Sequence, residues 1–236
     1  MKIKLPPGFE KRILYEDNHL IALNKLPSEI VQGDKTGDIP LSEHVKLYLK
    51  ERYNKPGNVF LGVVHRLDRP VGGVVVFAKT GKALSRMNLL IKERKTEKKY
   101  WAIVKNRPPA ESGTLTHYLV RNSNKNKSFV YDNPVENSKE ARLSYKLLAR
   151  SDSFYLLEVD LITGRHHQIR AQISAIGCPI KGDLKYGYPR SNPDASISLH
   201  ARSFSFVHPV KKEKLIIVAP PPPGKLWNVF LNKMSV

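Results

Sequence analysis

This sequence predicts an α+β protein: one domain over residues 1–236, built on a large, mostly antiparallel sheet with flanking helices and loops. Three observations carry that expectation. Short apolar or alternating runs recur from Ile13 to Val218, separated by Gly, Pro, Asn and Asp, which is the pattern of strands joined by turns. Apolar residues at helical spacing are confined to a few short stretches between those runs. No internal repeat or clean linker divides the 236 residues, a length that one large domain can fill.

The elements follow in order. Ile13-Leu14-Tyr15 and Leu20-Ile21-Ala22-Leu23, joined by Glu16-Asp17-Asn18-His19, read as a hairpin. Pro27 to Pro40 is rich in Gly, Asp, Ser and Pro and reads as a loop. Pro40 then opens a helix with Leu41, Val45, Tyr48 and Leu49 on one face. Phe60 to Val64 and Val74 to Ala78 are continuous apolar runs, expected as buried strands. Leu84, Met87, Leu90 and Ile91 repeat at helical period between Lys82 and Arg94 and read as core. From Lys98 to Val104 a strand puts Tyr100, Ala102 and Val104 on one face and Trp101 and Ile103 on the other.

Thr114 to Val120, Ala141 to Ala149 and Ser153 to Leu161 are further strands. The polar stretch Arg121 to Lys139 reads as a surface loop. Thr163-Gly164 ends a strand, and Ile169, Ile173 and Ile176 mark a short amphipathic helix stopped by Gly177 and Pro179. Ile197 to Val207 and Leu215 to Val218 are late strands around the basic turn Lys211 to Lys214. Pro220 to Pro223 is a rigid connector, and Leu226 to Leu231 is a last amphipathic piece.

Charge narrows the function. Lys and Arg number 40 against 21 Asp and Glu, a formal net charge of +19. An excess of that size points to a polyanion, nucleic acid before an acidic membrane, because a positive field concentrates it and releases its counterions. Cys178 is the one cysteine, so no internal disulfide is possible and a reducing cytoplasm is expected. The N-terminus lacks the apolar run of a signal peptide. No apolar stretch approaches the roughly 20 residues of a membrane span.

Three places can carry chemistry. Asp68 sits between Arg66 and Arg69, just before Gly72-Gly73; flanking guanidinium groups favour the charged form of a carboxylate, for chemistry or for a structural ion pair. Tyr100 stands in the basic setting Lys98-Lys99-Tyr100-Trp101, read either as core or as the edge of a positive cleft. Thr163-Gly164-Arg165-His166-His167-Gln168-Ile169-Arg170 places a strand end, a turn and a helix start in succession, which suits phosphate recognition or a plain helix start. The histidines do not have metal-ligand spacing: His166 and His167 are adjacent and diverge by about 100° on a helix. No His-x-x-x-His or Cys-x-x-Cys pair occurs. Neither a metal nor another cofactor is expected, and glycine-loop and nucleophile signatures are missing.

Several motifs together resemble one family. His65-Arg66-Leu67-Asp68 with Gly72-Gly73 and Ala78-Lys79-Thr80 is similar to the catalytic motif of the RluA-type pseudouridine synthases. Lys99-Tyr100-Trp101-Ala102 resembles their second motif. Leu161 to Arg170, followed by Gly177 to Asp183 and Tyr186-Gly187, resembles the third. Leu199-His200-Ala201, Phe206 to Pro209, Tyr15-Glu16-Asp17 and Asn24-Lys25 match in the flanking strands.

The resemblance implies an enzyme that breaks the N1–C1′ bond of uridine in RNA, turns the base and rejoins it through C5, without metal or cofactor. It implies Asp68 as catalytic carboxylate, Tyr100 as the phenol near C5, and Arg170 as partner of Asp68. Arg66 fills the stack as the uridine leaves it, and Ile169 walls the uracil. His65, Arg165 and Gln168 are counted with them as substrate-binding. Such chemistry requires a flipped nucleotide, in ribosomal or transfer RNA read by shape and unpaired bases.

Two departures stand out. Val71-Gly72 replaces the family's usual Thr-Ser, and Asn24-Lys25-Leu26-Pro27 replaces Asn-Lys-Pro. About a dozen residues precede the first strand, so no separate N-terminal RNA-binding domain is expected, and a monomer is the default. The rival is a non-catalytic RNA-binding or ribosome-assembly protein, which has no need of an acid among bases. A glycosidase would want a second carboxylate near Asp68.

Overall fold

The computed structural model of the chain describes residues 3–234. Contacts gather it into two compact units. One consists of the residues up to Thr96 with Ser203–Pro220, the other of Glu97–Arg202 with the residues from Pro221 onward. Eleven strands and four α-helices lie in the described residues, which is the α+β class read from the sequence.

In the first unit β1 (Ile13–Glu16) and β2 (Leu20–Lys25) form the expected hairpin. Asp17 closes its turn by accepting the backbone N–H groups of His19 and Leu20, both at 2.8 Å. β3 (Gly62–Val63) and β4 (Gly72–Ala78) follow, and β4 pairs antiparallel with both β2 and β3. Every residue of β4 is buried, as its unbroken apolar run requires.

The run Phe60 to Val64 is not a full strand. Only Gly62 and Val63 pair, and Phe60 is 51% exposed. Gly62 is where this segment meets the following helix: a Cβ there would lie 2.7 Å from Leu84 Cδ2. That helix, α2 (Gly81–Lys92), is capped by Thr80, whose hydroxyl accepts the Ala83 N–H at 3.2 Å. The earlier helix α1 (Leu41–Arg52) buries the predicted face of Leu41, Val45, Tyr48 and Leu49. Met87 of α2 packs with Leu20, Ala22, Val74 and Val76, and Leu84, Leu90 and Ile91 lie against them.

The second unit orders its strands β5 (Thr96–Val104), β9 (Tyr155–Leu161), β8 (Lys139–Arg150), β6 (Ser112–Asn122) and β7 (Lys127–Tyr131), each antiparallel to its neighbour. Strand β7 corrects the surface loop expected over Arg121 to Lys139. Asn122 to Lys127 is only the turn of a hairpin, and Val120 pairs with Phe129 beyond it. Helix α3 (Gln168–Ala175) ends before Gly177, which has φ +78°. Strand β10 (Leu199–Val207) runs from the second unit into the first, where β11 (Lys214–Val218) pairs with it. Helix α4 (Lys225–Met234) seats Trp227 and Phe230 on Trp101, Ile103 and Leu156.

Candidate active site

In the first unit the acid lies on a braced turn. Val71 N–H donates to Asp68 O at 3.0 Å, and Leu67 and Val71 anchor the turn in the core on either side. Asp68 itself is half-buried and Arg66 is exposed. His65 has contacts within the fold. Its Nε2 accepts the Val76 N–H at 3.2 Å, and its ring lies edge-on to Phe204 at 4.8 Å.

Arg69 does not supply the flanking ion pair read from the sequence. Its guanidinium reaches Asp38 Oδ2 at 2.6 Å and Thr36 Oγ1 at 2.8 Å, and so ties the Pro27 to Pro40 loop to the turn.

The residue beneath the turn is Lys25, which sequence reasoning noted only as a family match. It is 1% exposed, at the end of β2. Its Nζ donates to Val71 O at 2.7 Å, Leu26 O at 2.9 Å and Arg69 O at 3.1 Å. Those carbonyls match the three hydrogens of an ammonium. Burial pushes its pKa down to about 7, and Glu29 and Asp68 pull back toward the charged form. Lys25 thus holds the turn that carries Asp68 through its carbonyl oxygens.

The two departures from the family pattern meet here. A Cβ at Gly72 would lie 3.0 Å from Lys25 O and 3.2 Å from Pro27 Cδ. The extra Leu26 and the bare Gly72 are therefore one adjustment: Pro27 occupies space that a side chain at 72 would need. Gly73, at φ +116°, completes the turn in a conformation that side chains resist.

In the second unit Tyr100 lies on β5 opposite Val159 and is 7% exposed. Lys98, two residues back on the same face, has its pKa pushed down to about 8 by burial.

The start of α3 is a dense polar network. Gln168 is buried, and its Oε1 accepts Thr163 Oγ1–H at 2.8 Å and Arg165 N–H at 2.9 Å. Its Nε2 donates to Arg142 O at 3.0 Å. Arg165 Nε donates to Glu140 O at 2.9 Å. Gln168 thus ties the end of β9 to the start of α3 from inside the fold. Two backbone N–H groups of this helix start are used within the fold: Arg165 N–H is held by Gln168, and Gln168 N–H donates to Arg165 O at 3.2 Å. Ile169 is buried at 5% exposure.

His167 turns the chain into α3 at φ +53° and stacks on His166 at 3.8 Å. Tyr186 OH accepts the Ser128 N–H at 2.8 Å and lies within hydrogen-bond distance of His167 Nδ1, at 3.0 Å. Burial pushes the His167 pKa down to about 2, and the positive charges of Arg170, Lys185 and Arg121 push the same way. Arg170 is 5% exposed. Its Nε and Nη2 grip Asp183 Oδ2 and Oδ1 at 2.7 and 2.8 Å, and Asp183 is fully buried. Sequence reasoning did not assign Asp183 a part, although Gly182-Asp183 stood in the motif it quoted.

The first unit thus carries a half-buried acid on a braced turn, and the second a buried tyrosine and an arginine held by a buried acid. Residues 19–175 match the family described as RNA pseudouridylate synthase. The chain belongs to that family. Its likeness to curated pseudouridine synthases runs almost end to end. It is 31% identical over 220 residues to ribosomal large subunit pseudouridine synthase C of Buchnera aphidicola subsp. Baizongia pistaciae, covering 90% of this chain and 67% of that one. It is 32% identical over 225 residues to the protein of the same name from Vibrio cholerae serotype O1, covering 93% and 68%. The chain thus spans about two thirds of the length of these relatives.

The solved human RNA pseudouridylate synthase domain containing 4 shares the fold, with a TM-score of 0.79 at 24% identity over 97% of this chain and 94% of that one. As a pseudouridine synthase, this chain is an isomerase that converts uridine in RNA to pseudouridine.

Proposed function

We propose that this synthase acts on a uridine in structured ribosomal RNA, with Asp68 as the catalytic carboxylate, Tyr100 as the phenol near C5 of the base, and Arg170 paired with Asp68. Arg66 takes the place of the departing uridine in the stack. Arg165 meets the RNA backbone, and Ile169 borders the uracil. Both units serve together as one catalytic domain.

One observation carries this reading: Asp68 stands on a turn fixed from below by a buried lysine, within the residues that match the family. A binding protein would have no use for a half-exposed acid held so firmly, since an anion there repels phosphate. Ribosomal RNA is preferred over transfer RNA because the relatives named above are ribosomal large subunit enzymes. The excess of 40 Lys and Arg over 21 Asp and Glu supports binding led by phosphates. A cytoplasmic monomer is the form proposed; the lone cysteine supports a reducing compartment.

The test is Asp68→Asn assayed on total RNA from a strain lacking the gene. Pseudouridine formation is abolished while RNA affinity stays within about threefold, because the substitution removes a charge and little volume. A variant that still forms pseudouridine at the wild-type rate would refute the assignment. A wild-type protein that binds RNA and modifies none would favour the non-catalytic reading.

A further inference from the structure

Arg170 is the most heavily restrained cation in the second unit, and the restraint is directional. Asp183 takes two of its nitrogens in a fork at 2.7 and 2.8 Å, which fixes the plane of the guanidinium. Tyr186 lies on that plane, with its ring centre 5.1 Å from Arg170 Cζ. The tyrosine cannot swing away. Its hydroxyl is held by Ser128 N–H and by His167 Nδ1.

The backbone of Asp183 is fixed as well. Its carbonyl accepts Tyr186 N–H at 3.1 Å and Tyr188 N–H at 3.0 Å. The turn before it depends on Gly182, at φ +88°, where a Cβ would meet Asn192 and Ser196 O at 2.8 Å.

Stability alone is a poor account of this arrangement. A buried ion pair loses about as much in desolvation as it gains in attraction, and apolar residues of the same volume often serve as well. The surroundings add a second point. The positive charges of Lys185 and Arg121 act with Arg170 on His167, so a mobile guanidinium here would be driven outward by like charges. Asp183 offsets that field and keeps Arg170 at 5% exposure.

We propose that Asp183, with Tyr186 against the guanidinium face, is a positioning residue for catalysis: it sets the plane and aim of the Arg170 guanidinium. This rests on the catalytic part proposed above for Arg170. Asp183 itself touches neither RNA nor the reacting atoms.

The experiment compares single-turnover rates and RNA affinities of wild type, Asp183→Asn, Asp183→Glu, Tyr186→Leu, Arg170→Lys and the double variant Asp183→Asn/Arg170→Lys, on total RNA from a strain lacking the gene. Asp183→Asn lowers the rate about 100-fold with affinity within about threefold, and Asp183→Glu, which restores the charge, recovers about tenfold of it. Arg170→Lys cannot take both oxygens, so it falls as far as Asp183→Asn and the double variant falls no further. If Asp183→Asn lacks a cooperative melt, Tyr186→Leu carries the test, because it removes the ring without stranding a charge; a rate about tenfold down at unchanged affinity is expected.

A folded Asp183→Asn within about threefold of the wild-type rate overturns the proposal. So does a double variant whose losses multiply, or, where Asp183→Asn does not fold, a folded Tyr186→Leu at full rate. The underlying reading fails separately, if Asp68→Asn keeps the wild-type rate whatever Asp183 does.

Discussion

The turn that carries Asp68 and the helix start that carries Arg170 are immobilised by opposite means. In the first, a buried Lys25 reaches up to three main-chain carbonyls and touches no acid among its hydrogen-bond partners. In the second, side chains hold side chains: Asp183 holds Arg170, and Tyr186 joins Ser128 to His167. Backbone bracing leaves the carboxylate half-exposed, where a substrate can meet it. Side-chain bracing buries the arginine almost completely. The lesson is that a side chain held through its main chain keeps its own atoms available, whereas one held by other side chains is enclosed.

Variants can break or sharpen that contrast. The largest effect belongs to Arg170→Ala, which removes the oriented charge and strands Asp183. Single-turnover assays should show a rate loss of about 100- to 1,000-fold, the scale for deleting one pre-aimed electrostatic group; an active variant would end the contrast by making the enclosed arginine dispensable. Next is Lys25→Met, which keeps the bulk and orphans three carbonyls. A loss of about 2–4 kcal/mol in urea unfolding is expected, with a lower rate. If stability falls while the rate holds, the bracing serves the fold alone.

Gly72→Ser is the third. The residue the family usually carries should here cost about 1–3 kcal/mol through overpacking against Lys25 O and Pro27. Deleting Leu26 in the same chain should relieve it, and thermal melts of the single and double variants decide.

The fourth variant separates the two regions by pH. His167 is neutral in the folded state, with a pKa near 2 against an ordinary 6.5. Below about pH 6.5 the unfolded chain takes up a proton that the fold refuses, so stability falls with pH at up to about 1.4 kcal/mol per unit. His167→Asn, which tolerates the left-handed backbone, should flatten the decline between pH 6.5 and 5. Lys25 leans the same way over a higher range: its folded pKa near 7 lies below its ordinary value, so stability rises from about pH 7 toward 10. Lys25→Met should remove that upper slope and leave the lower one. The smallest effect is Arg69→Ala, whose pairing with Asp38 is partly exposed; a loss under about 1 kcal/mol is expected in the same unfolding measurement.

Much of the fold was legible in the sequence because period and turn chemistry agree. The β1–β2 hairpin, the face of α1, the stripe of α2 and the unbroken β4 follow from apolar spacing alone. Strand β7 was not legible because Phe129 and Val130 are too few to outweigh the Asn and Lys of its turn. The close approach of Leu84 to Gly62 joins two elements, which no local pattern encodes.

At the site, Asp68, Tyr100 and Arg170 stood out by motif. The inward use of His65 and Gln168 did not, since a polar residue in a motif looks the same whether it faces RNA or backbone. The burial of Lys25 was hidden for the same reason: lysine is ordinarily a surface residue.

Cys178 is 1% exposed, and burial raises its thiol pKa, so its sulfur stays protonated and shielded from electrophiles. The protein therefore comes with a silent background for thiol chemistry. A maleimide fluorophore on a cysteine placed at Lys125, in the exposed β6–β7 turn, would report from that one position without first deleting the native sulfur.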